Sequence, residues 1–225
     1  MSLSIKICGL KSPEALDAAL AAGADYVGFV FYAPSPRHLD FAAARLLGAS
    51  VRGRARKVAL SVDADDDWLA ASVEALAPDM LQLHGREPPE RVAAVRAHFG
   101  LPVVKALPIS EAADLTTIHR YVGIADHVLF DARAPHGATR PGGLGRSFDW
   151  QLLDNVDTGL SYFLSGGLDA ANVAEALRIT RARAIDVSSG VERAPGDKDV
   201  DKIVAFIRAA RTAAETQAPK LASTR

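Results

Sequence analysis

Two kinds of run alternate along the chain. The first is short and apolar: "SIKIC" (4–8), "DYVGFVF" (25–31), "KVALSV" (57–62), "DMLQLH" (79–84), "PVVKAL" (102–107), "HVLFDA" (127–132), "SYFLS" (161–165) and "AIDVSS" (184–189). Several are apolar almost without a break, which suits β-strands covered on both faces, as in a parallel sheet. The second kind is amphipathic and rich in alanine. "SPEALDAALAAG" begins with Ser12 as an N-cap and Pro13 at the first helical position, and stops at Gly23. "DDDWLAASVEALA" sets acidic residues in its first turn, where the helix dipole favours them. Helices are also predicted over 87–100, 110–123, 169–180 and 197–215, with weaker ones at 41–49 and 149–154.

Strict alternation of strand and helix predicts an α/β domain. Eight such units within 225 residues match the count and size of a single (β/α)8 TIM barrel. An open doubly wound sheet is the rival, but it needs a topological switch and usually has fewer strands. The expected domain is residues 1–211, with 212–225 as a flexible C-terminal tail. Composition narrows the partners. A formal net charge of -1 points to neither nucleic acid nor a polycation. No apolar run has the length of a membrane span, and no signal peptide is visible. The single cysteine cannot form an internal disulfide, so a reduced, cytoplasmic setting is the default.

In a barrel of this kind the working residues stand where the apolar runs stop, on the loops after the strands. Cys8 ends the first run, "APSPRHL" (33–39) follows the second, Asp63 follows the third and His84 ends the fourth. Asp131 lies near the end of the sixth, with "RPGGLGRSF" (140–148) in the loop beyond it. "SGG" (165–167) and "SSG" (188–190) end the last two runs. This matched pair of small loops points to a phosphate, because their backbone N–H groups can converge on one and a short extra helix can aim its N-terminus there. The plain alternative is that Gly166, Gly167 and Gly190 only make tight turns.

The other candidates each have two readings. Cys8 is either a small buried residue or a base, and as a base it needs a lowered pKa and at least partial exposure. Asp131 either pairs with Arg133, caps a loop, or handles protons. Asp186, inside an apolar run, needs a partner if it points inward. Arg37 is either a solvated loop residue or a fork for a carboxylate. His84 is either a hydrogen-bonded rim residue or a catalyst. "PGGLG" reads as a mobile flap; no strand directly precedes it, which excludes a dinucleotide fingerprint.

Taken in order, "KICGL", "GFVFYAPSPR", "LQLHG", "LFDA", "GGLGRSFDW", "LSGGL" and "DVSSGVERAPGDKD" resemble the phosphoribosylanthranilate isomerases from about residue 4 to residue 210. The resemblance implies an Amadori rearrangement in tryptophan biosynthesis, with no cofactor or metal. By motif it implies Cys8 as general base, Asp131 as general acid and Arg37 on the anthranilate carboxylate. It further implies Gly166, Gly167, Ser188, Ser189 and Gly190 around the phosphate, with His84 and Asp186 lining the pocket. Two positions depart from the family pattern: Asp63, where an aromatic residue and "VN" are more usual nearby, and Leu144, where a small or polar residue usually stands.

The chemistry suits these residue types. Opening the furanose needs a proton on the ring oxygen, which a carboxylic acid can supply. The iminium so formed acidifies the C2′ proton, which a thiolate can take. A related indole-glycerol-phosphate synthase should show a lysine pair at the strand ends, and the histidine-pathway isomerase an aspartate in place of Cys8. A non-catalytic sensor barrel needs neither Cys8 nor Asp131. The expected partners are a small phosphorylated molecule, neither nucleic acid nor membrane, and at most a second copy in a weak homodimer.

Overall fold

The computed structural model describes residues 3–135, 137–138, 140–154, 156 and 159–217. Eight strands run in parallel: β1 (Ser4–Cys8), β2 (Tyr26–Val30), β3 (Arg56–Ser61), β4 (Met80–Leu83), β5 (Val103–Ile109), β6 (His127–Ala132), β7 (Ser161–Leu164) and β8 (Ala184–Val187). They close into one barrel in sequence order, β1 meeting β8 in a register that sets Lys6 against Asp186. This is the expected (β/α)8 architecture.

Alternation along the strands sorts the side chains. Val58, Met80, Val104, Ala106, Leu129 and Phe163 form a buried cluster inside the barrel. Cys8, Val30 and Leu60 form a smaller one nearer the C-terminal ends of the strands. The alternate residues, Ile5, Ile7, Val27, Phe29 and Phe130 among them, face the helices in the large outer core. Burying each such side chain contributes about 1.5–3 kcal/mol, so the sheet is held from both faces. The helices are α1 (Pro13–Ala21), α2 (Phe41–Val51), α3 (Asp66–Leu76), α4 (Pro89–Phe99), α5 (Val173–Thr180) and α6 (Val200–Gln217). Ser12 caps α1 as expected, its hydroxyl accepting from the Ala15 amide at 3.2 Å. Asp65 does the same for α3 at 2.8 Å. No helix among the described residues is long and apolar enough to cross a membrane.

Some elements differ from expectation. Segments 112–121 and 150–153 are 3-10 helices rather than α-helices. The first contains Thr116, Thr117 and Ile118 in a row, whose branched side chains crowd an α-helical turn. α5 begins only at Val173, because Asp169 and Asn172 hydrogen-bond each other's backbone in a turn before it. α6 continues through Gln217, six residues past the expected domain end; positions 218–225 of the expected tail lie outside the described residues. The helix expected after β8 is one 3-10 turn, Ser189–Val191, running into a hairpin of β9 (Glu192–Ala194) and β10 (Asp197–Lys198).

Candidate active site

A cavity of about 790 Å³, open solvent included, lies at the C-terminal end of the barrel. Cys8, Arg37, His84, Asp131, Gly166, Gly167, Asp186, Ser188 and Ser189 all line it. Gly190 does not. Its backbone is closely packed, since a Cβ there would lie 1.9 Å from the Leu168 carbonyl oxygen.

Asp131 points inward from β6 and is 8% exposed. Its Oδ1 accepts from the Ala132 amide at 2.9 Å, and its Oδ2 lies 3.3 Å from His84 Nε2. The expected alternative partner, Arg133, pairs with Asp114 instead. His84 is oriented from below: the Gln82 amide nitrogen donates to its Nδ1 at 2.9 Å. The other ring nitrogen, Nε2, faces Asp131.

Cys8 is more enclosed than expected, at 3% exposure, although it borders the cavity. Burial pushes its thiol above the ordinary range, Lys6 pulls it down, and Asp186 pushes it up again. Asp186 lines the cavity and is also paired, its Oδ1 lying 2.9 Å from Lys6 Nζ in a buried salt bridge.

Arg37 is not a solvated loop residue. It is 4% exposed, with Nε 2.7 Å and Nη2 2.8 Å from the two carboxylate oxygens of Glu192. Lys198 Nζ reaches the same carboxylate at 2.8 Å. Two cations thus share one anion, with burial pulling the Lys198 ammonium below the ordinary lysine range. Burial works to raise the Glu192 carboxyl, but the Arg37 fork and Lys198 outweigh it and hold it below the usual range. The hairpin delivers Glu192 to this point. At its tip Gly196 packs so closely on the Pro36 carbonyl oxygen that a Cβ would lie 2.3 Å away.

The loop over 140–148 closes the cavity. A Cβ at Gly142 would stand 2.5 Å from Asp131 Oδ2 and 2.6 Å from His84 Nε2. Gly143 accepts from Arg37 Nη2 at 3.0 Å through its carbonyl. Leu144 lines the cavity, half-buried. On the far side, Gly166 and Gly167 take positive φ of 88° and 67°. Among the described residues, the amides of Gly166, Gly167 and Ser189 donate to no backbone carbonyl, so they are available to an anion. No group of three or more metal-ligating side chains was found among the described residues.

Sequence reading missed Lys6, Gln82, Glu192 and Lys198. Lys6 and Gln82 carried a usable signal, each being polar on the inward parity of an otherwise apolar strand. Asp63, flagged as a departure, lies outside the cavity. Its Oδ1 accepts from the Arg86 amide at 2.6 Å, and its own amide donates to Glu87 at 2.9 Å, so it ties two rim loops together.

Comparison with known proteins agrees with this geometry. The family model described as N-(5′-phosphoribosyl)anthranilate (PRA) isomerase matches residues 5–209. The N-(5′-phosphoribosyl)anthranilate isomerase of Nitrobacter winogradskyi is 60% identical over 216 residues, covering 96% of each chain. The crystal structure of the phosphoribosylanthranilate isomerase of Thermotoga maritima superposes with a TM-score of 0.83 at 34% identity, over 93% of this chain and 99% of that one. A further isomerase structure, at 32% identity and TM-score 0.80 over 93% of this chain and 99% of that one, is a complex with reduced 1-(o-carboxyphenylamino)-1-deoxyribulose 5-phosphate. A family match over residues 5–209, on a closed barrel whose rim carries the expected residues, leads to one conclusion: the chain belongs to the N-(5′-phosphoribosyl)anthranilate isomerase family.

Proposed function

We propose that this cavity converts N-(5′-phosphoribosyl)anthranilate to 1-(2-carboxyphenylamino)-1-deoxyribulose 5-phosphate, with Asp131 as general acid and Cys8 as general base. The observation that carries the assignment is the presence of both groups, from the separate strands β6 and β1, in one cavity beneath the 140–148 loop. Asp131 gives its proton to the furanose ring oxygen as the C1′–O bond breaks, and the nitrogen lone pair forms the iminium. The Cys8 thiolate takes the C2′ proton, whose bonding pair becomes the C1′–C2′ double bond while the iminium electrons return to nitrogen. The enolamine then loses its hydroxyl proton and gains one at C1′, giving the ketone. His84, with Nε2 3.3 Å from Asp131 Oδ2, holds the carboxyl in position.

Arg37 holds the anthranilate carboxylate. With Nε and one side of Nη2 fixed on Glu192, its Nη1 edge faces the ligand. The phosphate sits at the amides of Gly166, Gly167 and Ser189, with Ser188 beside them. Every group named comes from one chain, so a monomer suffices. The Cys8 thiol must stay reduced to act, which suits the cytoplasm.

The test is loss of phosphoribosylanthranilate fluorescence on adding the purified protein, with a thiol and a chelator present. Decay faster than spontaneous hydrolysis, with the ketose identified as product, supports the reading. A folded protein that leaves the fluorescence to decay at the spontaneous rate refutes it.

A further inference from the structure

Inside the barrel, at the floor of the cavity that Asp186 lines, stands an ion pair with no obvious structural purpose. Lys6 and Asp186 are 2% and 4% exposed and lie 2.9 Å apart across β1 and β8. A buried pair of this kind is seldom more stabilising than an apolar pair of the same volume. Its position offers another purpose. Lys6 and Cys8 are two apart on β1, so both side chains point inward, one above the other. Gly28, the β2 residue in register with Cys8, leaves their shared face bare. A Cβ on Gly28 would lie 2.9 Å from Cys8 Sγ and 3.2 Å from Lys6 Cε. The lysine stem therefore passes along the glycine beside the sulfur, and its ammonium is bonded to Asp186.

We propose that Lys6 is a positioning residue for the reaction: its ammonium is the counter-charge on which the Cys8 thiolate forms, and Asp186 sets how much of that charge the sulfur receives. The proposal rests on Cys8 being the base. The thiol proton leaves to solvent before substrate binds, and Lys6 stays an ammonium throughout. Burial alone would lower the Lys6 ammonium, but Asp186 and Cys8 leave it above the ordinary lysine range, so the charge persists at neutral pH. The other charge acting on the sulfur is Lys198 on β10, which is already matched by Glu192. Arg37, His84 and Asp131 line the same cavity but are occupied by Glu192 and by each other.

Because Cys8 is the only cysteine, thiolate absorbance and alkylation rate each read this one group in the intact protein. The proposal demands shifts of opposite sign. Lys6→Met should raise the thiol midpoint by about one pH unit or more, which is about tenfold less thiolate at neutral pH. Asp186→Asn, close in shape and a safeguard if the first variant misfolds, should lower it by freeing Lys6 for the sulfur. The acidic limb of the kcat/KM profile should follow each midpoint. A pair that is merely structural would move both midpoints the same way, or neither. Either of those results overturns the proposal, as does a rise in Asp186→Asn. If Cys8→Ala keeps full activity, the base assignment falls while the thiol midpoints still report on Lys6. If Cys8→Ala is inactive and the midpoints do not move, only the role of Lys6 falls.

Discussion

Cys8 is asked to be an anion at a position where burial opposes one. Thiols in apolar surroundings are inert, and activated ones sit beside cations. Here both conditions meet at one sulfur, with desolvation pushing its pKa up and Lys6 pulling it down. Cys8→Ala and Asp131→Asn are each expected to lower kcat by roughly two orders of magnitude or more, measured in steady state with the fold checked by circular dichroism. Glu192→Gln should act differently. It releases the Arg37 fork while Cys8 and Asp131 both remain, so KM should rise about tenfold while kcat changes less, the pattern of lost uniform binding. A drop in kcat with KM unchanged would contradict this. Cys8, Arg37, His84 and Asp131 were legible in the sequence because each is polar where an apolar run ends. Glu192 was not: only the folded hairpin brings residue 192 to residue 37. Nor was the burial of Arg37 legible, since a loop arginine between prolines reads as solvated until its partner is seen.

At the scale of elements, all eight strands were legible, and β1 and β6 match their predicted limits residue for residue. Nearly continuous apolar runs leave little ambiguity when each is followed by a helix signal. The connections were less legible. A 3-10 helix and an α-helix share much of one amphipathic pattern, and the choice between them over 112–121 turns on branched residues and on the Asp114 hydrogen bonds that tighten the first turn. Caps give a modest prediction: Ser12→Ala should cost about 1 kcal/mol of stability by chemical denaturation, without changing kinetics. The loop after β8 gives a larger one. Gly190→Ala would drive a methyl into the Leu168 carbonyl, and the strain should cost about 3 kcal/mol or displace the loop. In either case phosphate affinity should weaken along with the melting temperature. An alanine variant with unchanged stability and unchanged inhibition by inorganic phosphate would show that the two loops do not depend on this contact.

For the whole molecule, the Glu192 group ties the β9–β10 hairpin to the loop after β2, and it makes stability depend on pH. Its carboxyl titrates lower in the folded protein than its ordinary value of 4.5. Above that value both states are ionised and the contribution is whole. As pH falls below it, the unfolded chain binds a proton that the folded chain refuses, and the contribution drains away until the folded pKa is passed. Unfolding midpoints between about pH 5 and pH 3 should therefore fall more steeply for the native sequence than for Glu192→Gln. At the other end of the chain, the fully buried residues of α6 stop at Ala210, and Gln217 is exposed. Deleting residues 218–225 is expected to leave the melting temperature and kcat/KM unchanged.

The ion pair inside the barrel also bears on how this protein can be engineered. A designer seeking heat resistance would be drawn to Lys6 and Asp186, because replacing both with methionine and leucine fills the barrel with apolar volume and removes two desolvated charges. Such a variant should melt at the same temperature or higher, and it should be a poor enzyme. Selection for survival at high temperature and selection for growth on the product would then pull these two positions in opposite directions.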